Sequence, residues 1–86
     1  GIGLLAGLRE AGVAVPGEIS VVGIDNIPLS GLVWPALTSV MPPLAEMAQV
    51  MVERLLQRVG DPTLIPEEFI FPPTLVSRQS VITITP

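Results

Sequence analysis

Residues 19–26 read Ile-Ser-Val-Val-Gly-Ile-Asp-Asn, an apolar run that ends abruptly at two polar side chains. A short run rich in β-branched residues and without alternation predicts that residues 19–24 form a strand buried on both faces, as in the parallel sheet of an α/β protein. Such sheets bind their ligands beyond the carboxyl ends of the strands. Asp25 is therefore the candidate ligand contact, although an Asp-Asn pair also commonly opens a turn.

Two helices are predicted around this strand. The first covers residues 3–11 and ends at Gly12, since glycine suits the position just after a helix. The second covers residues 43–59, begins with Pro43 in its first turn, and ends before the Gly-Asp-Pro sequence at residues 60–62. Its apolar stripe is expected to be buried and contains Leu44, Met47, Met51 and Leu55.

Further strand candidates follow from short apolar runs between turn signals. They lie at residues 37–41, 69–71 and 74–76, and residues 81–85 alternate like a short strand or an extended tail. The Pro72-Pro73 pair separates two of these candidates, because proline cannot donate to a strand ladder.

The composition predicts that this chain buries apolar surface against something else. The 86 residues are 49% hydrophobic and 14% charged, compared with about 25% charged in typical domains. Mean hydropathy is +0.68, and a chain this short buries only about 60–65% of its surface on folding. These values favour a piece of a larger fold or a subunit with an extensive interface.

Several function classes find no support in the composition. The chain contains no cysteine and no histidine, which removes disulfides and the commonest metal ligands and general base. Neither a metal site nor an enzyme is predicted, and a net charge of −4 argues against a grip on nucleic acid phosphates. Residues 26–45 carry no charge, but the four prolines among them argue against a membrane span.

Three segments in a fixed order resemble the C-terminal part of the LacI/GalR family of bacterial transcription regulators. Residues 8–26 contain Val-Pro followed by Ile-Ser-Val-Val-Gly-Ile-Asp-Asn, residues 35–40 read Pro-Ala-Leu-Thr-Ser-Val, and residues 75–80 read Leu-Val-Ser-Arg-Gln-Ser. The resemblance extends from Gly3 to Ser80. Each motif is weak alone, whereas their order and spacing together are a strong signal.

The resemblance implies an α/β fragment of a two-lobed, periplasmic-binding-protein-like domain, in which helices flank parallel sheets. On this pattern, residues of about 1–40 and 72–86 belong to the C-terminal lobe, and residues of about 42–69 belong to the N-terminal lobe. The chain is thus expected to be a partial effector-binding domain, and the family's DNA-binding helix-turn-helix is expected to be absent from it.

The same resemblance implies function and partners. On this resemblance the protein is expected to be a cytoplasmic transcription regulator, either a repressor or an activator, that senses a sugar or related small-molecule effector without a cofactor. It works as a homodimer, reaches operator DNA only through its N-terminal domain, and does not bind membranes. Three residues are expected to line the effector pocket: Asp25, Leu44 and Met47. Four are expected in the dimer interface: Ile2, Leu5, Leu32 and Val33.

Two alternatives remain open at this point. A periplasmic sugar-binding subunit of a transporter shares the fold, although the Val-Val-Gly-x-Asp-Asn and Leu-Val-x-Arg-x-Ser motifs favour the regulator. Arg78, the arginine of the second motif, could contact the ligand. We expect it instead to make a structural ion pair or to contact a backbone carbonyl, because polar groups in folded chains are usually satisfied by the protein itself.

Overall fold

The computed structural model describes residues 1–85, which divide into two compact units. Unit 1 contains Gly1–Met41 together with the segment that begins at Thr74, and unit 2 contains Pro42–Pro73. The regular elements, in chain order, are α1 (Ile2–Glu10), β1 (Val22–Ile24), a 3-10 turn (Pro28–Gly31), β2 (Thr38–Met41), α2 (Leu44–Gly60) and β3 (Thr74–Val76).

Helix α1 ends as the glycine in the sequence predicts. Gly12 has a φ of +74°, a conformation that glycine adopts without the steric cost of a Cβ. Its N–H donates to the Arg9 carbonyl at 3.1 Å, and the Val13 N–H donates to the Leu8 carbonyl at 2.9 Å. These two bonds form a Schellman motif, which satisfies carbonyls at the end of the helix.

The sheet of unit 1 has three strands in the order β1-β2-β3. Strand β1 runs parallel to β2, with Gly23 opposite Ser39, and β3 runs antiparallel to β2, with Val76 opposite Ser39. The parallel pair confirms the α/β class. Strand β1, however, is shorter than residues 19–24 and lies at the sheet edge.

The expectation that β1 is buried on both faces is wrong for the described residues. Val22 and Ile24 are 54% and 75% exposed, whereas Gly23 between them is buried. The reason is that α1 packs on one face of the sheet only. There Leu5, Val21 and Leu37 form the core cluster.

Gly23 allows this packing to be close. A Cβ at this position would lie 2.8 Å from Cδ2 of Leu37, and Leu37 is itself 3% exposed in the core. A larger residue would therefore displace a buried side chain, which is costly in a closely packed interior.

Helix α2 forms nearly where the periodicity predicts it, but its apolar stripe is not covered. None of its residues is buried: Leu44, Met51 and Leu55 are 60%, 66% and 63% exposed, and Met47 is half-buried. The expected burial of this stripe is therefore wrong within residues 1–85. Glu53 and Gln57, on the opposite face of α2, are exposed as well. The apolar stripe was therefore assigned to the correct face, but nothing among the described residues covers it.

The strand expected at residues 69–71 does not form, since no ladder partner pairs with it among the described residues. Residues 81–85 likewise form no strand. No helix within residues 1–85 is both long enough and apolar enough to cross a membrane.

Candidate functional site

The candidate site is the turn that follows β1. The Asp25 N–H donates to the Val40 carbonyl at 2.8 Å, which extends the contact between β1 and β2 by one residue. Asp25 and Asn26 have φ values of +86° and +49°, in the left-handed region that Asp and Asn tolerate better than most residues. The Asp25 side chain is exposed, so a carboxylate stands in solvent beyond the carboxyl end of a parallel strand.

Asn26 is the most connected residue of this turn. Its N–H donates to Oγ of Ser39 at 3.0 Å, and its side-chain Nδ2 donates to Sδ of Met41 at 3.3 Å. Its Oδ1 accepts a hydrogen bond from Nη2 of Arg78 at 2.7 Å. The sequence identified Asn26 only as the neighbour of Asp25.

Arg78 makes the structural contacts expected of it. Its Nη1 donates to the Leu37 carbonyl at 2.7 Å, and its backbone N–H donates to Oγ1 of Thr38 at 2.9 Å. The prediction of a carbonyl contact is therefore confirmed. The guanidinium also bonds to Asn26, so one side chain joins the segment after β3 to the start of β2 and to the candidate site.

Buried hydroxyl groups on β2 and in the segment after β3 form hydrogen bonds to the turn and to the neighbouring backbone. The sequence analysis did not identify them. Thr38 is 2% exposed, and Ser39 and Ser80 are 0% exposed. Ser80 Oγ accepts from the Thr38 N–H at 2.8 Å and donates to the Val21 carbonyl at 2.6 Å. The available signal was the presence of small hydroxyl residues within otherwise apolar segments, since a buried hydroxyl needs a partner.

The two other expected pocket residues lie in unit 2, at the start of α2. Leu44 is exposed, and Met47 is half-buried. Met47 lines an apolar groove of about 610 Å³ within unit 2, whereas Leu44 does not. The groove is also lined by Val50, Met51, Leu55, Phe69 and Phe71.

Arg54 and Glu67 supply the polar groups of this groove. Arg54 Nη1 donates to Oε1 of Gln57 at 3.2 Å, and its Nη2 donates to the Ile65 carbonyl. These bonds tie the loop after α2 back onto the helix, which indicates a structural role for this arginine.

The four residues expected in a dimer interface differ in exposure. Leu32 is 79% exposed, whereas Ile2 and Val33 are partly buried against the core cluster. Leu5 is 7% exposed and belongs to that cluster. Because Leu5 already packs within its own chain, it has little surface to offer a partner. The interface itself stays a prediction.

No group of side chains that could hold a metal ion occurs within residues 1–85.

Asp61 is a carboxyl with a clearly shifted pKa. The hydroxyl and N–H of Thr63 donate to Oδ1 of Asp61 at 2.6 and 3.1 Å. These bonds hold the pKa of Asp61 below its ordinary value. The contact lies in an exposed turn after α2 and is local in its effect.

The fold agrees with what known proteins show. The family description of periplasmic binding protein-like domains matches residues 1–81. The chain therefore belongs to the family of periplasmic binding protein-like domains.

Within that family, the relatives are transcription regulators. The chain is 40% identical over 79 residues to the HTH-type transcriptional regulator GalS of Salmonella typhimurium, which covers 92% of this chain and 23% of the regulator. It is 31% identical over 80 residues to the ribose operon repressor of Haemophilus influenzae, which covers 93% and 24%. The resemblance to the LacI/GalR family is confirmed, and the chain spans about a quarter of these relatives.

Solved structures give the same result. A LacI family transcriptional regulator from Enterococcus faecalis V583 with bound ribose is 34% identical, with a TM-score of 0.85 over 96% of this chain and 31% of that one. The Escherichia coli transcriptional repressor ascG is 38% identical, with a TM-score of 0.77 over 95% and 30%. These relatives are transcription regulators, and they favour the regulator over the transporter subunit.

Proposed function

We propose that this chain is the C-terminal part of the effector-binding domain of a bacterial LacI/GalR-type transcription regulator. The effector is a sugar or a related small molecule, and its binding favours one arrangement of the domain, which a dimer transmits to DNA-binding heads. The observation that carries the proposal is the exposed Asp25 carboxylate on a tied turn beyond a parallel strand, in a chain similar to a regulator with bound ribose.

Asp25 acts in this proposal as an acceptor of hydrogen bonds from the effector. Sugar hydroxyls are donors, and a hydrogen bond to a charged group is stronger than one between neutral groups. Since the turn is already held by its own hydrogen bonds, little ordering is needed when the effector binds. Leu44 and Met47 act as apolar contacts for the carbon face of the effector.

The proposed partners follow from the family. The protein is a cytoplasmic homodimer, in which Leu32 is the exposed apolar contact and Ile2 and Val33 are partly buried contacts. Operator DNA is bound by a separate N-terminal domain, since residues 1–86 carry a net charge of −4. We assign residues of about 1–40 and 72–86 to the C-terminal lobe and residues of about 42–69 to the N-terminal lobe.

The test is calorimetric titration of the full-length protein with a panel of aldopentoses and aldohexoses that includes D-ribose. At least one aldose should bind, and Asp25→Ala should weaken its affinity by about ten- to hundredfold, because one hydrogen bond to a charged group is lost. Glu68→Ala is the matched control, since it removes an exposed carboxylate of unit 2 and should leave the affinity unchanged.

Two results would count against the proposal. Unchanged affinity in the Asp25→Ala protein would remove Asp25 from the pocket. Failure of every aldose to bind the unaltered protein would remove sugars as the effector class.

A further inference from the structure

The turn that carries Asp25 is held in a conformation that its residues do not prefer. Two consecutive residues with side chains, Asp25 and Asn26, have positive φ values. Asp and Asn tolerate this region best among residues with a Cβ, yet it remains a minor region for them. Such backbone conformations persist only where the surrounding structure holds them in place. The contacts that hold this turn therefore decide where the Asp25 carboxylate stands.

Two of the contacts from β2 fix the backbone of the turn. The Asp25 N–H donates to the Val40 carbonyl at 2.8 Å, and the Asn26 N–H donates to Oγ of Ser39 at 3.0 Å. Both acceptors lie on one neighbouring strand, so these bonds anchor the turn from a single side. A contact from another segment is needed to stop the turn from rotating about that anchor.

Arg78 supplies the contact from another segment. Its Nη2 donates to Oδ1 of Asn26 at 2.7 Å, across 52 positions of sequence. This bond is charge-assisted and short, which places it among the stronger hydrogen bonds in proteins. It acts on the Asn26 side chain from outside β2. The one bond from that side chain to β2 goes from Nδ2 to Sδ of Met41 at 3.3 Å, and a thioether sulfur is a weak acceptor.

Arg78 can hold the turn because its own position is fixed. Nη1 donates to the Leu37 carbonyl at 2.7 Å, and the backbone N–H donates to Oγ1 of Thr38 at 2.9 Å. Its Nε lies 3.6 Å from the place that a Cβ on Gly31 would occupy, so the guanidinium also packs beside the 3-10 turn. The planar fork of arginine serves two acceptors at once, which a lysine ammonium does less well.

We propose that Arg78 is the positioning residue for Asp25 and that it acts through the side chain of Asn26. This inference rests on the proposed role of Asp25 in effector binding. Arg78 does not contact the effector. It fixes the turn so that the carboxylate is presented to the effector before binding.

The first test needs no effector and measures amide hydrogen exchange in the full-length protein. Arg78→Met should speed exchange at the Asp25 and Asn26 amides by about tenfold or more, because one charge-assisted bond no longer holds the turn. Exchange across α1 (Ile2–Glu10) should stay unchanged. Arg58→Met is the matched control, because Arg58 is exposed in the last turn of α2, and it should alter neither region.

The second test is a double-mutant cycle on the affinity for the aldose that binds the unaltered protein. Arg78→Met should weaken that affinity about tenfold in the unaltered background. In the Asp25→Ala background it should weaken it less than about twofold, because Arg78 acts only through the missing carboxylate. Arg78→Lys keeps the charge without the two-pronged geometry, so its affinity for the aldose should lie between the affinities of the unaltered and Arg78→Met proteins.

The outcomes separate this inference from the proposed function. Unchanged exchange at Asp25 and Asn26 in the Arg78→Met protein would overturn the positioning role, and so would equally faster exchange in α1. An equal loss of affinity in both backgrounds would show that Arg78 acts independently of Asp25. If no aldose binds, the proposed function fails, and the exchange experiment alone decides whether Arg78 holds the turn.

Discussion

Ser80→Ala should destabilise the protein strongly for so small a change. The Ser80 side chain is 0% exposed, and its hydroxyl makes two hydrogen bonds, one from the Thr38 N–H at 2.8 Å and one to the Val21 carbonyl at 2.6 Å. Alanine would leave the Thr38 N–H buried without this acceptor, which costs about 1–3 kcal/mol. Loss of the bond to the Val21 carbonyl adds about 1 kcal/mol. The free energy of unfolding should therefore fall by about 2–4 kcal/mol.

The measurement is urea unfolding followed by circular dichroism, with Ser77→Ala as the matched control. Ser77 is exposed, so its substitution should stay within about 0.5 kcal/mol, the ordinary range for surface changes. The dependence of stability on urea should be unchanged in both proteins, since neither change alters the surface exposed on unfolding. A Ser80→Ala protein as stable as the Ser77→Ala protein would refute the role of this hydroxyl in joining β2 to the residue before β1.

Two further changes test the packing of unit 1 and the turn after α2. Leu37→Ala should lower the free energy of unfolding in urea by about 2–5 kcal/mol, because Leu37 is 3% exposed in the core. Leu56→Ala is the control: Leu56 is 65% exposed, so its loss should lower the free energy of unfolding far less. Equal losses in the two proteins would contradict the assigned core. Thr63→Ala should raise the pKa of Asp61, which the Thr63 hydroxyl holds down. An NMR titration of the Asp61 carboxyl checks this, and an unmoved pKa would contradict the contact. Since the folded-state pKa of Asp61 is lowered, its stabilising contribution is present above the unfolded-state pKa and is lost as pH falls through the folded-state pKa.

Local signals in the sequence predicted the helices and the site turn. Periodicity placed α1 and α2 within one residue of their observed limits, and Gly12 ends α1 as its lack of a Cβ suggests. The apolar run before Asp25 predicted β1, and a separate short apolar run at residues 37–41 predicted β2, which the structure pairs with β1 in parallel. These features depend on neighbouring residues, which a sequence pattern records directly.

Local sequence signals could not predict which faces are buried or which polar groups bond over long range. Apolar spacing indicates which face of α2 favours burial, but it does not indicate what covers that face, and within residues 1–85 the face is uncovered. The bond from Arg78 to Asn26 and the bond from Ser80 to Val21 join segments 52 and 59 positions apart. Only the folded chain brings those partners together, so no local pattern predicts them.

A crystal structure of the full-length protein with its bound aldose tests the proposed function most directly. It should place a carboxylate oxygen of Asp25 about 3 Å from a sugar hydroxyl oxygen, at hydrogen-bond distance, with Asn26 still accepting from Arg78. A sugar bound elsewhere, with the Asp25 carboxylate beyond hydrogen-bond distance, would contradict the assignment of this turn as the effector contact.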